Sequence, residues 1–399
     1  MPPSLGGVRY FPLAGASEPG QRASRHVGVA PPGGMATDPV SPATREKLAR
    51  FVLGTTLKVR AGEHVTIEGW THTLPWAVAL AREARRLGAS PLITYEDEDA
   101  YWDAVAAGQD ELLGEAAAHE WAALGKTDVY IHMWGPTDRV RLGKLPDARA
   151  DKLFAFNPKW YAAAQKAGLR GARLDVGRLF PATARAYGVD LAKWADQIVR
   201  GSMVSPETLR RNAAPVVRAL TRGKSVRIRD DRGTDLTLGL AHRRPQAFTG
   251  QPSNDGVASR LISLPSGYIR VALDENVADG TIVANRPDYF DPPDKATGGV
   301  FRFRRGKLTS AEFERGGKQF RAGYKTGGKG RDRPGLLGIG LNPELRGAPP
   351  DEDAELGAVL VSVGGNRGMG GKNPSPFFGW VVTAGTRIEV DGRPLVVGR

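Results

Sequence analysis

The stretch LGAVLVSVGGNRGMGGKNPSPFFGWVV spans residues 356–382 and carries the most distinctive pattern in the chain. It opens with an apolar, β-branched run that ends at Val363 and closes with an aromatic cluster around Trp380. Between these runs, five glycines lie among the eight residues 364–371. Because glycine permits positive φ and close backbone approach, the pattern predicts two strands joined by a loop that walls a pocket. A mobile hairpin loop is the alternative.

The sequence upstream continues in the same β-rich style back to residue 223. Alternating apolar and polar residues predict a hairpin over 225–240, and helical patterning is confined to about 311–325. Further strands and hairpins are predicted over 261–285, 301–314 and 336–345. We therefore assign residues 223–399 to a β-rich α+β domain.

Residues 41–222 follow a different pattern, in which strands and helices alternate. Ser41-Pro42 and Ser205-Pro206 both read as a helix N-cap followed by proline at the first helical position. Strands are predicted at 64–70, 91–97, 128–134 and 153–158, and helices at 42–54, 74–87, 100–124, 159–167, 190–199 and 205–220. This alternation predicts an N-terminal parallel α/β sheet domain, so the expected fold class is α/β with two domains.

Composition restricts the setting of the protein. Residues 1–38 are rich in Gly, Pro, Ala and Ser, which predicts a disordered tail, and we expect translation to begin at Met35. The chain has no cysteine, which excludes disulfides and thiolate sites and fits a cytoplasmic location. No run of eighteen apolar residues is present, so no membrane partner is expected.

The chain is basic, with a formal net charge of +13. Eleven Lys and Arg residues face three acids between Arg302 and Arg333. A basic segment of this kind permits binding to nucleic acid. Since no nucleic-acid motif surrounds it, we interpret it as a solvated surface and expect no nucleic-acid partner.

Other chemistry has weaker support in the sequence. His132 and Asp138 follow a predicted parallel strand, where ligands often bind. A serine hydrolase would need Ser362 or Ser375 together with a base, and no G-x-S-x-G elbow is present. The glycine-rich loop could hold an anion, in a pocket formed by Arg367, Lys372, Asn373 and Trp380.

The order of several motifs resembles that of the thermophilic metallo-aminopeptidase family, of the aminopeptidase T and aminopeptidase S type. The resemblance runs from about residue 44 to the C-terminus. It is carried by RAGEHVTIEG, AREARRLGAS, DLAKWADQIVRG, GTDLTLGLAHR, LPSGYIRVALDENVADGTIV, GIGLNP, LGAVLVSVGG and GGKNPSPFFGWVV. It implies a homodimer that acts on peptides, with two divalent ions bound by Glu, His, Tyr and Asp in the C-terminal domain.

The resemblance also assigns seven metal-ligand positions, and most of them are replaced. Only Glu355 keeps a metal-binding carboxylate, which makes it the one candidate catalytic residue; Tyr268 offers a phenol. The seven positions are Tyr268, Leu336, Glu355, Leu360, Arg367, Phe378 and Trp380. We therefore expect no bound metal and no cofactor.

Histidine usage agrees with this expectation. All six histidines lie at or before His242, so the last 157 residues contain none. A site built only from Asp274, Glu275 and Glu355 would favour Mg²⁺, Ca²⁺ or Mn²⁺. Non-haem iron ring-cleaving dioxygenases of similar build also need histidines in this domain.

Two functions remain open at this point. The first is a family member that has lost standard peptide hydrolysis and acts on, or binds, a small molecule or peptide. The second is an active aminopeptidase with one or two divalent cations in a carboxylate-only site. The replaced positions favour the first.

Overall fold

The structure is a computed structural model, and its description covers most of the chain after the predicted tail. The described residues are 39–107, 114–138, 141, 144–253, 257–290, 294–350 and 352–398. The predicted tail of residues 1–38, together with residues 108–113 of the predicted helical region, lies outside them. Among the helices that the structure describes, none combines the length and the apolarity needed to cross a lipid bilayer.

The helices are distributed unevenly, with most of them before residue 223. They are α1 Pro42–Arg50, α2 Leu74–Arg86, α3 Glu98–Ala107, α4 Ala118–Leu124, α5 Asp147–Phe154, α6 Phe156–Ala167, α7 Pro181–Tyr187, α8 Leu191–Ser202, α9 Pro206–Arg222, α10 Val257–Arg260 and α11 Lys318–Thr326. The two predicted N-caps are confirmed, because Ser41 Oγ accepts from Thr44 N at 3.2 Å and Ser205 Oγ from Thr208 N at 3.1 Å.

The strands divide into an N-terminal and a C-terminal group. They are β1 His64–Trp70, β2 Ser90–Glu96, β3 Val129–Met133, β4 Arg170–Leu174, β5 Ser225–Arg229, β6 Asp235–Gly239, β7 Gln246–Phe248, β8 Leu261–Leu264, β9 Tyr268–Ala272, β10 Ala278–Val283, β11 Asp288–Phe290, β12 Asp294–Ala296, β13 Val300–Arg304, β14 Lys307–Glu312, β15 Pro334–Gly340, β16 Val359–Gly364, β17 Phe378–Thr383, β18 Arg387–Val390 and β19 Arg393–Leu395.

The first sheet is parallel and has the strand order β2-β1-β3-β4-β8. Its central strands bury Val65, Ile67 and Ile131 against a core that includes Leu80 of α2. The predicted parallel α/β arrangement is confirmed. The last strand, β8, comes after residue 222, so the chain returns to this sheet once it has begun the next.

The second part of the chain forms two antiparallel sheets. One has the order β14-β13-β10-β6-β5-β18-β19, and the other has the order β17-β16-β15-β9-β7. A single core contains Ile228 and Phe301 from the first of these and Ile339 and Val361 from the second. This confirms the predicted β-rich C-terminal part.

One predicted strand is wrong. The run at 153–158 belongs to the end of α5 and the start of α6, which are separated by Ala155. A short apolar run fits a buried helix as well as a strand. Pro158 is compatible with the helix because it lies in the first turn, where its missing N–H has no intrahelical partner.

Asn342 joins the two parts of the molecule. Its side chain is fully buried, and its Nδ2 donates to Gly201 O of α8 at 2.9 Å and to Ser266 O at 2.7 Å. Its Oδ1 accepts from Glu344 N at 3.0 Å. Ser266 lies in the turn between β8 and β9, so this one amide connects α8, that turn and the chain after β15.

We expect Asn342→Ala to lower the free energy of unfolding by about 2–4 kcal/mol, because two buried backbone carbonyls lose their donor and the half-buried Glu344 N–H loses its acceptor. Urea denaturation followed by circular dichroism measures this. Asn276→Ala, at an exposed asparagine, is the matched control and is expected to change stability by less than about 0.5 kcal/mol. Equal effects of the two substitutions would contradict the role given to Asn342.

Candidate functional site

Most of the seven positions that the sequence resemblance assigns to metal ligands lie on one face of the five-stranded antiparallel sheet. Leu360 is paired with Gly338 on one side and Val382 on the other, and the register continues through the neighbouring strands. Alternate residues of a strand share a face. The face therefore carries Tyr268, Leu336, Leu360, Phe378 and Trp380.

This face is packed with apolar side chains. Leu336 is 4% exposed and lies in a cluster with Ala272 and Met369. Leu360 is 1% and Trp380 2% exposed, and the rings of Phe378 and Trp380 are 5.5 Å apart. The side chains of Leu336, Leu360 and Phe378 have no atom that ligates a metal ion.

Glu355 is held by an arginine. Its two carboxylate oxygens accept from Nη2 and Nε of Arg286, each at 2.8 Å, and Oε2 also accepts from Gly347 N at 2.8 Å. The hydrogen bond to Glu355 raises the pKa of Arg286. The one metal-type carboxylate among the seven positions is therefore neutralised by a two-pronged ion pair.

A second arginine lies on the same face. Arg270 of β9 donates to Asp353 at 2.7 Å, in a pair whose side chains are 10% and 4% exposed. Its guanidinium carbon is 4.6 Å from the centre of the Tyr268 ring, which stacks on Phe248 at 4.7 Å. A fixed guanidinium beside the phenol opposes the binding of a divalent cation there.

The residues present do not fit the two divalent ions that the resemblance implies. Such a centre needs several carboxylate or imidazole ligands in one place. Within the described residues, no group of three or more His, Cys, Asp or Glu side chains is arranged to hold a metal ion.

Glu275 anchors the glycine-rich loop. Its Oε2 accepts from Arg243 Nη2 at 2.6 Å, and its Oε1 accepts from Asn366 Nδ2 at 3.0 Å and from Lys372 N at 2.7 Å. Burial alone would raise the pKa of Glu275, but these hydrogen bonds outweigh it and lower the pKa to about 2. The carboxylate is therefore charged and fully engaged at neutral pH.

Two asparagines complete this network. Asn366 Oδ1 accepts from Asn373 N at 2.9 Å, and Asn373 Nδ2 donates to Gly330 O at 2.8 Å and to Gly364 O at 2.7 Å. Both side chains are buried. Sequence reasoning proposed Asn373 for ligand binding and missed Asn366; the N-x₆-N spacing inside a glycine-rich segment was the available signal.

A cleft of about 660 Å³ lies beside this loop. Lys372 and Asn373, two of the four residues predicted to form a pocket, are among its lining residues. Arg367 is exposed in a short 3₁₀ turn, Trp380 is buried in the core, and neither lines the cleft. The structure thus brings together only half of that predicted set.

The serine hydroxyls have structural roles. Ser362 Oγ accepts from Leu336 N at 2.7 Å, and Ser375 Oγ donates to Gly327 O at 2.7 Å. Ser362 is fully buried and Ser375 is 8% exposed. These contacts give no support to a serine nucleophile at either position.

The end of the parallel sheet carries polar residues as predicted, but they are divided among separate contacts. His132 Nδ1 is 3.2 Å from Glu68 Oε1, and Tyr130 donates to the same carboxylate. Asp138 instead accepts from Arg141 N at 2.8 Å. His72, which the sequence did not single out, donates from Nε2 to Gly177 O at 2.8 Å, and burial lowers its pKa.

We expect Arg286→Ala to destabilise the protein by about 3 kcal/mol, because it leaves the Glu355 carboxylate buried without its partner. Thermal or urea unfolding measures the change. Arg387→Ala is the matched control: Arg387 and Asp231 are 74% and 93% exposed, so its loss is expected to cost less than about 0.5 kcal/mol. If the Arg286→Ala protein is as stable as the control, other groups or water stabilise the Glu355 carboxylate, and the role given to Arg286 is contradicted.

Glu275 predicts a pH dependence of stability. Its pKa falls from an ordinary 4.5 to about 2 on folding, so its stabilisation is present above pH 4.5 and is lost as the pH falls towards 2. Glu275→Gln should lower the free energy of unfolding at pH 7 by about 1–3 kcal/mol and flatten its slope across that window.

Urea titrations at several pH values test this expectation. Glu312→Gln is the control, since Glu312 is 61% exposed in its pair with Arg302. If the slope between pH 2 and pH 4.5 is the same in wild-type and Glu275→Gln proteins, Glu275 is not the group responsible.

The chain is similar to a known protein family and to solved structures. The family model described as thermophilic metalloprotease (M29) matches residues 43–326. Wild-type AmpT from Thermus thermophilus has a TM-score of 0.67 at 21% identity, covering 90% of this chain and 98% of its own. A 2,5-dihydroxypyridine dioxygenase from Pseudomonas putida KT2440 has a TM-score of 0.57 at 16% identity, covering 90% and 97%. No curated protein matches the chain.

These likenesses carry two kinds of information. The solved structures share the fold, with the parallel sheet followed by antiparallel sheets. The family match covers more than half of the chain, although it ends before β15 and so leaves Leu336 and the later ligand positions outside. The chain belongs to the thermophilic metalloprotease (M29) family.

Proposed function

We propose that this protein does not carry out metal-dependent hydrolysis of N-terminal peptide bonds and instead uses the family scaffold to bind a ligand. The observation that carries the proposal is the apolar packing of Leu336, Leu360 and Phe378 at positions that match family ligands. Family membership describes the fold, whereas the residues of the site determine the chemistry. A member of the family can therefore keep the fold without the activity.

The electrostatics of the site support this proposal. A divalent cation needs oxygen or nitrogen ligands to replace its water. Here Arg270 and Arg286 place two fixed positive charges beside Asp353 and Glu355, the carboxylates closest in sequence to β16. To bind one of these carboxylates, a metal ion would have to displace the paired arginine. The ion would then lie close to the positive charge of that arginine.

The alternative, an active aminopeptidase with a carboxylate-only site, has less support. Glu275 is bound by Arg243 and by loop donors, and Glu355 is bound by Arg286. Asp274 Oδ1 accepts from Asn276 N at 2.9 Å. None of these contacts brings the three acids to a common centre. The homodimer implied by the resemblance and the cytoplasmic location expected from the absence of cysteine stay predictions.

The test is elemental analysis of the purified protein together with an aminopeptidase assay on short peptides with added Co²⁺, Zn²⁺ or Mn²⁺. We expect far less than one ion per chain and no cleavage above the buffer rate, since the donor set is missing. An aminopeptidase of established activity, run in parallel, shows that the substrates and conditions are adequate.

Two bound ions per chain with release of N-terminal residues would overturn the proposal. In that case a Glu355→Gln variant tests whether the ions are held by a carboxylate-only site that includes Glu355. Loss of both the metal and the activity in this variant would support the carboxylate-only site.

A further inference from the structure

The cleft beside the glycine-rich loop is formed by five separate segments of the chain. They are residues 275–276 from the turn between β9 and β10, Lys307 from β14, Tyr324 from α11, residues 328–333 from the loop before β15, and residues 372–374 from the loop after β16. Its volume of about 660 Å³ lies within the ordinary range for small-molecule sites, roughly 300–1,000 Å³. Because segments distant in sequence form this concave surface, the cleft is a feature of the fold and not of one basic stretch of sequence.

The lining of the cleft is strongly cationic. It contains five basic side chains, Lys307, Lys329, Arg331, Arg333 and Lys372, and two acidic ones, Glu275 and Asp332. Within the described part of the chain, none of the five forms an ion pair with a carboxylate. This contrasts with Arg243, which is paired with Glu275, and with Arg270 and Arg286 elsewhere in the C-terminal part, which are also paired.

Glu275 does not offset these cations. Its carboxylate points to Arg243 and to the donors of the glycine-rich loop, and the Arg243–Glu275 pair is 11% and 14% exposed. Its charge is therefore balanced by Arg243, which does not line the cleft, and by the hydrogen-bond donors of the loop. The five cations face a single further acid, Asp332, so an anionic ligand would relieve their mutual repulsion.

The loop before β15 adds backbone donors. Gly328 and Gly330 have φ of +63° and +88°, left-handed conformations of the kind found in loops that bind anions through backbone N–H groups. In the part of the chain that is described, the N–H groups of residues 328–332 donate to no protein acceptor. Asn373 fixes the loop through Gly330 O, and a Cβ at Gly330 would lie 2.2 Å from Asn373 Oδ1.

We propose that this cleft binds a small polyanion, a molecule with two or more phosphate or carboxylate groups. The cationic side chains supply the attraction, and the loop N–H groups supply directed hydrogen bonds. This inference deepens the proposed function, because it names the class of ligand that the scaffold binds. Its test measures binding and not cleavage, so it can fail or succeed independently of the peptidase assay.

The aromatic contacts favour a small ligand over a nucleic-acid strand. Tyr324 is the one aromatic side chain in the lining of the cleft. Its ring packs on Phe377 at 5.6 Å, and the guanidinium of Arg331 lies 5.0 Å from its centre. Single-stranded nucleic acid is bound by successive bases stacked on free rings, and this cleft does not offer such a row.

Isothermal titration calorimetry with sodium tripolyphosphate and with trisodium citrate tests the proposal and distinguishes phosphate from carboxylate ligands. The cleft variant is the triple substitution Lys307→Gln, Lys329→Gln and Lys372→Gln, since these side chains are exposed. We expect wild-type protein to bind at least one probe and the variant to bind it about tenfold or more weakly, because charged hydrogen bonds are lost.

The matched control removes the same charge elsewhere, with Lys126→Gln, Lys166→Gln and Lys193→Gln at exposed positions of the N-terminal part. It should change the affinity less than about twofold, and unfolding curves check that both variants fold. Equal weakening by both variants, or no binding of either probe at about 10 mM, would overturn the proposal. So would binding of a single-stranded oligonucleotide, sensitive to the cleft variant, without binding of either probe.

Discussion

A single carboxylate, that of Glu275, holds the glycine-rich loop against the rest of the C-terminal sheets. It joins Arg243 after β6, Asn366 at the start of the loop and the backbone of Lys372 at its end. The loop is rich in glycine, so its path depends on these hydrogen bonds, on those made by Asn373, and on the packing of Met369 against Leu336. β17 pairs with β16 along its whole length, and the end of the anchored loop lines the cleft through residues 372–374.

Three acids of the C-terminal part share one kind of partner. Glu275, Asp353 and Glu355 each meet one arginine at 2.6–2.8 Å. Buried carboxylates are tolerated only when their charge is compensated and their oxygens are hydrogen-bonded. In the C-terminal part these three charges are compensated by Arg243, Arg270 and Arg286.

Much of the fold could be predicted from the sequence, because local patterns specify it. The predicted strand 64–70 coincides with β1, and the predicted helix 74–87 differs from α2 by one residue. The run at 153–158 failed because four apolar residues do not determine a period. At the site, the resemblance predicted which residues occupy the ligand positions. It could not show that Arg286 reaches Glu355, since their contact spans 69 positions and depends on how the sheets are arranged.

The return of the chain to its first sheet has a consequence for how the protein is divided. β8 pairs with β4 over Leu261–Leu264, yet it is encoded after β5, β6 and β7. A proteolytic fragment ending near residue 222 would keep the first four parallel strands but expose the outer side of β4. Unpaired strand edges recruit other chains, so such a fragment is expected to self-associate. Residues 223–399 are therefore not a unit separate from the first sheet, because their strand β8 completes it.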